Sequence, residues 1–435
     1  MGKDASLEND TDTEAVGGRR LDRLRGLVGK LLEGNAFWAP RLRAAGLDEG
    51  VESFEAFSSA LSTLSKEEIA EDQRRHPPYG SNLTYPPERF IRLHQTSGTS
   101  GTAPLRWLDT RESWAAMLGT WRRVFSSCGV GPEDRVFFPF SFGPFLGFWT
   151  AFEAACEIGC LALPGGGLSS RGRLDMLLDN DATVVCCTPT YALRLGEIAA
   201  AAGLDLGRGG GPRTLIVAGE PGGSVPAVRQ RIAEQWAGAA VFDHHGMTEV
   251  GPVSYPDKDA PGVLRIDGAS FHAEVLDLET GRALGAEAGG VGELVLTTLS
   301  RTGTPLLRYR TGDVVRPLPA PPDRPGDVGL EGGLLSRVDD MVVVRGVNLY
   351  PSAFDRVIRG FAEVAEYRVE LRRHRSMAEV AVELEPAPGA AADLPARVAD
   401  ALRATFNLRI PVAAVAAGSL PRFELKAQRW HLSGR

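Results

Sequence analysis

From Arg19 onward, Leu21, Leu24, Leu27, Val28, Leu31 and Leu32 recur three or four positions apart, which predicts an amphipathic opening helix. Residues 53–70 read as mostly helical by the same spacing, and Pro77-Pro78-Tyr79-Gly80 then breaks the chain. A short strand is expected at 90–94, a helix over 111–128 and a buried strand at 135–139. Strands at 160–163, 183–187 and 214–218 then alternate with helices over 173–179, from Pro189 to Ala202, and up to Trp236. Such alternation implies a parallel sheet flanked by helices, with ligands gathering beyond the carboxyl ends of its strands. After Gly262 the texture is β-rich, with strands at 271–278, 292–298 and 308–309, and 317–333 reads as a Pro/Gly-rich loop. A strand at 341–345, a helix at 352–360, a hairpin over 366–385 and a helix at 393–406 close the pattern, with no internal repeat.

Composition narrows the classes. A chain of 435 residues is expected to form two or three compact units, with two as the working number. Its 43% apolar and 24% charged residues fit an ordinary globular protein. The formal charge of −7 excludes a broadly cationic nucleic-acid or membrane surface, so an anion site must be assembled locally. The five cysteines lack a disulfide-framework spacing, and Cys156 with Cys160 reads better as buried thiols than as half a metal site. Residues 1–18 are polar and acidic and read as a disordered tail without a leader or membrane anchor; the cytoplasm is the simplest compartment.

The chemistry centres on His94-Gln95-Thr96-Ser97-Gly98-Thr99-Ser100-Gly101-Thr102-Ala103-Pro104-Leu105-Arg106. Its hydroxyls and glycines let backbone N–H groups approach a polyphosphate closely. Thr102 stands where a P-loop needs Lys, so that motif is excluded; taken alone, the stretch also fits a Ser/Thr-rich surface turn. Later come His245-Gly246-Met247-Thr248-Glu249, Arg308-Tyr309-Arg310-Thr311-Gly312-Asp313, Arg337-Val338-Asp339-Asp340 and Pro421-Arg422-Phe423-Glu424-Leu425-Lys426.

In this order the motifs resemble the adenylate-forming acyl/aryl-CoA synthetase superfamily, most closely its phenylacetate-CoA ligase-like branch, from about Leu21 to the C-terminus. The resemblance implies an α/β fold. A large N-terminal adenylation domain over 19–338 would combine parallel sheets flanked by helices with a distorted β-barrel, and a small mobile α+β domain would occupy 339–435. It implies ATP-dependent activation of an acid to its adenylate and then thioester formation with CoA, with Mg2+ as the metal. Thr96, Ser97, Gly98, Thr99, Ser100 and Gly101 would hold the β- and γ-phosphates, although Thr102 and Ala103 both intervene before Pro104 where the family commonly has one residue. Thr248 would contact the α-phosphate and Glu249 the Mg2+ ion. Asp243 and His245 would meet adenine, His245 in place of the usual aromatic residue. Gly219, Glu220 and Gly246 would line the nucleotide site, Asp313 would accept from the ribose hydroxyls, and Arg337 could reach the same side. Lys426 would bridge the reacting carboxylate and the α-phosphate, although Leu425 precedes it where the family has Gly. Asp339 would be the hinge, and Gly346 would enter the thiol channel.

Phe142, Gly143 and Phe145, with Gly147, Phe148 and Trp149, read by themselves as plain core packing; the resemblance implies a flat apolar slot there, with His244 and Met247 in the same pocket. The expected substrate is a small aryl acid, anthranilate or benzoate-like, ahead of phenylacetate. A ligase that loads a carrier-protein pantetheine, and a catalytically silent nucleotide-binding protein, are the rival readings. No zinc is expected, since Ser254-Tyr255-Pro256, Val263-Leu264-Arg265 and 318–333 contain none of the cysteines that some relatives place there. Neither nucleic acid nor membrane is an expected partner, and a homodimer is left open.

Overall fold

The structure, a computed structural model, describes residues 4–96, 104–287, 289–338, 342–344, 347–374, 377–423 and 428–433. Two compact units emerge, each discontinuous in sequence: 1–167 with 244–333, and 168–243 with 334–435.

In the first unit, the helix Asp4–Gly34 buries Leu24, Leu27, Val28 and Leu31, the stripe expected from the spacing. Its start corrects the expected tail. The backbone is helical from Asp4 onward. The stretch 53–70 is two helices, Phe54–Ala60 and Lys66–Arg75, the second started by a Ser65/Glu68 capping box. Between them Leu64 bridges Tyr309, its N–H donating to Arg308 O at 2.9 Å while Arg310 N donates back to Leu64 O at 2.9 Å. Periodicity continues across this break because Leu61 and Leu64 are apolar on either reading.

Phe90–Gln95 and Arg106–Thr110 form an antiparallel hairpin with His94 opposite Trp107. Arg135–Phe138 and Leu161–Pro164 run parallel. The β-rich stretch makes one antiparallel set from Phe271–Asp277, Gly292–Thr298 and Tyr309–Val315, and another from Ser254–Pro256, Val263–Ile266, Gly329–Glu331 and Pro317–Leu318. The segment 317–333 therefore carries two short strands as well as loop. The strand expected at 308–309 extends to Val315.

In the second unit Val184–Cys187 and Thr214–Ala218 are parallel, with Ala240–His244 next in order, among the helices Ser170–Asp179, Pro189–Ala201 and Pro226–Gln235. The C-terminal part is a Val364–His374/Met377–Pro386 hairpin flanked in parallel by Val412–Ala414 and Trp430–Ser433. With the helices Pro351–Arg359 and Leu394–Phe406 it encloses a core that includes Phe354, Ile358, Tyr367, Leu384 and Leu402. Arg231 on the Pro226–Gln235 helix donates to Val364 O at 3.0 Å, which ties 168–243 to this C-terminal part. The protein is thus a mixed α/β molecule with parallel sheet flanked by helices and a small C-terminal domain. Among the described residues no helix is long and apolar enough to cross a membrane.

Candidate active site

The turn His245–Glu249 is held from several sides within the first unit. His245 accepts at its carbonyl from Val253 N (2.9 Å) and Ser254 N (3.1 Å), and its own N–H donates to Ser254 Oγ at 3.0 Å. Gly246–Met247 pairs with Gly251–Pro252, and Gly251 (φ +96°) stays glycine because a Cβ there would also press 2.7 Å from Met117 Sδ. His244 Nδ1–H donates to Ser254 O at 2.7 Å, and burial pushes the ring down to a pKa of about 3 despite that bond. The ring is therefore a neutral imidazole.

Charged groups converge on this turn. His245 Nε2 lies 3.1 Å from Asp313 Oδ2, both side chains being buried, and His245 Nδ1 has no hydrogen-bond partner among the described residues. Glu249 is buried, with Lys66 Nζ 2.9 Å from Oε1. Lys66 reaches it because the Leu64 bridge and the Ser65 cap set the first turn of its helix. Arg301, 2% exposed, donates to both oxygens of Asp109 at 2.7 Å and, through Nη1, to Thr248 O at 2.7 Å and Glu249 O at 2.9 Å.

The phosphate-loop residues Ser97, Gly98, Thr99, Ser100 and Gly101 lie outside the described residues, but both of their anchors are visible. Thr96 N donates to Leu105 O at 2.9 Å, and Leu105 N donates to Thr96 Oγ1 at 3.0 Å, which closes the hairpin end below that connection. His94 stacks on Trp114 with centroids 5.4 Å apart, and burial lowers its pKa to about 4.

Phe142 sits in a cluster with Phe138, Phe140, Trp149 and Phe152, at ring-centroid distances of 6.4, 5.7, 4.7 and 5.4 Å. The gaps expected beside the glycines are filled from within. A Cβ on Gly143 would lie 2.7 Å from Phe145, and one on Gly147 (φ +41°) would lie 2.8 Å from Phe140. Trp149 begins a helix to Glu157 that the aromatic composition hid. Trp121 joins this cluster to the turn, with its ring 6.0 Å from Phe148 and 4.3 Å from His244. Gln95 N also donates to Pro144 O at 2.6 Å, which fixes the aromatic segment to the hairpin.

In the second unit Gly219 (φ +92°) turns the chain after Thr214–Ala218. Glu220 Oε1 accepts from Thr190 N (2.8 Å) at the start of the Pro189–Ala201 helix, and Asp243 Oδ2 accepts from Ser224 Oγ at 2.5 Å. Arg337 ends the two-residue strand Ser336–Arg337. Asp339, Gly346 and Lys426 lie outside the described residues, yet Lys426 is bracketed by two anchors. Arg422 donates to Glu385 at 2.6 and 3.1 Å, and Arg429 donates to Glu366 at 2.8 and 3.2 Å. Arg422 is the chief cause holding the Glu385 carboxyl down at about 2.

The structure thus brings His245, Thr248, Glu249 and Asp313 together in one unit, and adds Lys66, Asp109, Trp121, Ser254 and Arg301, which the sequence reading missed. The sequence signal for Arg301 was its place as a charge two residues beyond the β-rich stretch 292–299; Asp109 carried none. Among the described residues no three His, Cys, Asp or Glu side chains are grouped to hold a metal ion. A single buried carboxylate fits Mg2+ bound largely by water and substrate phosphates, and Glu249 meets that description.

Residues 346–431 match the model of the AMP-binding enzyme C-terminal domain. A phenylacetate-coenzyme A ligase of Aromatoleum evansii is 30% identical over 326 residues, 72% of this chain and 70% of that protein. A 2-hydroxyisobutyryl-CoA ligase, solved in the postadenylation state in complex with 2-HIB-AMP, superposes with a TM-score of 0.84 at 27% identity, covering 96% of this chain and 89% of that one. An anthranilate CoA ligase in complex with anthranoyl-AMP shares the fold, with a TM-score of 0.58 at 17% identity over 78% of this chain and 66% of that one. The chain therefore belongs to the adenylate-forming CoA ligases, in the phenylacetate-CoA ligase branch, and is an AMP-forming acid–thiol ligase.

Proposed function

We propose that the acid is a small, flat aryl carboxylate, benzoate-like with an ortho amino or hydroxyl group such as anthranilate, and that the thiol is that of CoA. One carboxylate oxygen attacks the α-phosphorus of ATP, and the bond to the β-phosphate oxygen breaks as pyrophosphate leaves. The CoA sulfur, as thiolate, then attacks the acyl carbon, and the carbon–oxygen bond breaks as AMP departs. Positioning and charge stabilisation carry the first step. Thr96 and Ser97 to Gly101 hold the β- and γ-phosphates, Thr248 the α-phosphate, and Lys426 bridges it to the incoming carboxylate. Glu249 would hold Mg2+, which offsets phosphate charge when bound. Asp243, Gly219, Glu220, His245 and Gly246 receive adenine, Asp313 and Arg337 the ribose. Asp339 is the hinge about which the domain 339–435 turns, carrying Gly346 to the thiol channel.

The observation that carries the aryl assignment is the continuous aromatic path from Phe142 through Phe148 and Trp121 to His244, beside the Thr248–Glu249 turn. A flat aromatic face favours a planar ring over a flexible acyl chain. Neutral His244 lies at the end of that path, and a polar group beside the carboxylate discriminates between acids more sharply than an added methylene does. Phenylacetate is the second reading, supported by the activity named for the Aromatoleum relative. The test is kcat/KM for anthranilate, salicylate, benzoate, phenylacetate and a medium-chain fatty acid, with CoA or a pantetheinylated carrier protein as acceptor. Anthranilate and salicylate are expected to lead with CoA. Phenylacetate ahead of every benzoate removes the ortho-substituent assignment, the fatty acid ahead of all removes the aryl class, and faster transfer to the carrier removes CoA.

A further inference from the structure

The guanidinium of Arg301 is the most completely engaged cation around the turn. It forms a two-bond fork with Asp109, which is fully buried, and gives Nη1 to the consecutive carbonyls of Thr248 and Glu249. The planar fork makes four bonds at once, one more than an ammonium has donors for. Two adjacent carbonyls drawn to one cation fix both peptide planes of the turn, and with them the direction in which the Thr248 and Glu249 side chains leave. Asp109 belongs to Arg106–Thr110, the strand that follows the Ser97–Ala103 connection. Neighbouring bonds stiffen the same joint: Thr304 Oγ1 donates to Leu108 O at 3.0 Å, and Gly303 N donates to Ser113 Oγ at 3.1 Å. A pair this deeply buried gains little as a stability device, because desolvating two charges offsets most of their attraction.

We propose that Arg301 is a positioning residue for adenylate formation: paired with Asp109, it sets the Thr248–Glu249 turn in register with the hairpin that carries the phosphate loop. The proposal rests on the reading of Thr248 and Glu249 as phosphate and Mg2+ contacts. A separate variant, Glu249→Gln, tests that reading, so the two can fail independently. If Glu249→Gln leaves the Mg2+ dependence of ATP–pyrophosphate exchange unchanged, that reading fails whatever Arg301 does.

The experiment uses the full chain with its best acid and compares wild type, Arg301→Lys and Asp109→Asn. ATP–pyrophosphate exchange is measured over a Mg2+ series, thioester formation is measured from supplied acyl-AMP and CoA, and the folded fraction is followed by thermal unfolding. In both variants exchange should fall about 10- to 100-fold with a raised half-saturating Mg2+ concentration, as for residues that orient a metal ligand from behind. Thioester formation from supplied acyl-AMP should fall clearly less than exchange, because it keeps the Thr248 contact to the α-phosphate but needs neither the pyrophosphate contacts nor the Mg2+ assigned to Glu249. Exchange and thioester formation falling together in proportion to the folded fraction, or exchange with unchanged Mg2+ dependence in both variants, overturns the proposal. Asp109→Asn keeps the volume and one acceptor, so it provides the measurement should Arg301→Lys fail to fold.

Discussion

Lys426 stands between two arginines that are each tied to a buried carboxylate, Arg422 on Glu385 and Arg429 on Glu366. Both anchors lie in the C-terminal part, and the proposed role has Lys426 meet developing charge in only one half-reaction. Lys426→Ala should therefore lose acyl-AMP formation by at least about 100-fold, the cost typical of removing one transition-state donor. Conversion of supplied acyl-AMP and CoA should be largely retained, and equal loss of both steps would remove the assigned role. At this scale the motifs placed His245 and Asp313 in the same part of the molecule, where their side chains meet at 3.1 Å. The sequence was silent about Lys66 and Arg301, whose partners are far away in the chain: Lys66 meets Glu249 only because Leu64 pairs with Tyr309. Spacing rules cannot see a contact that a distant strand creates.

Elements were read best where one periodicity dominates. The helix Arg111–Ser127, the strand Thr214–Ala218 and the paired strands Val364–His374 and Met377–Pro386 follow their apolar spacing, since each buries one clear face or is buried throughout. Trp149–Glu157 was missed because its aromatic start suggested a ligand slot, whereas Trp149 Nε1 donates back to Gly143 O and locks the segment on itself. The strand Tyr309–Val315 was cut short because Arg310, Gly312 and Asp313 interrupt the apolar pattern. Glu293 accepts from Arg310 and from Gly312 N, so a neighbouring strand supplies what the local sequence lacks. The hinge assigned to Asp339 is also an element-scale matter, since its backbone must adopt two conformations for the 339–435 domain to turn. Asp339→Pro fixes φ near about −65° and should damage one half-reaction far more than the other. Measuring exchange and thioester formation separately checks this; a small, uniform effect on both would mean that no rotation about Asp339 is needed.

For the whole molecule, the discontinuous units explain why a single linear boundary was the natural reading of the sequence: the contacts that join 168–243 to the C-terminal part, such as Arg231 with Val364, have no local signature. The response to acid is set at the same scale by buried imidazoles. His94, His244 and His272 all lie in the first unit, and burial lowers their pKa values from the ordinary 6.5 to about 4, about 3 and about 3. Each folded value is depressed, so between those values and pH 6.5 the unfolded chain binds a proton that the folded chain refuses. Stability is then full above about pH 6.5 and falls as the medium is acidified, by about 1.4 kcal/mol per pH unit for each histidine. Urea unfolding between pH 7.5 and 5 should show this slope. His272, stacked on Phe54 at 4.3 Å and remote in role from the adenylation residues, isolates one proton. His272→Gln should flatten the slope by about 1.4 kcal/mol per pH unit without adding any acid sensitivity. An equally steep slope in His272→Gln, or none in the parent enzyme, would mean that these rings are hydrated enough in the folded protein to take up the proton.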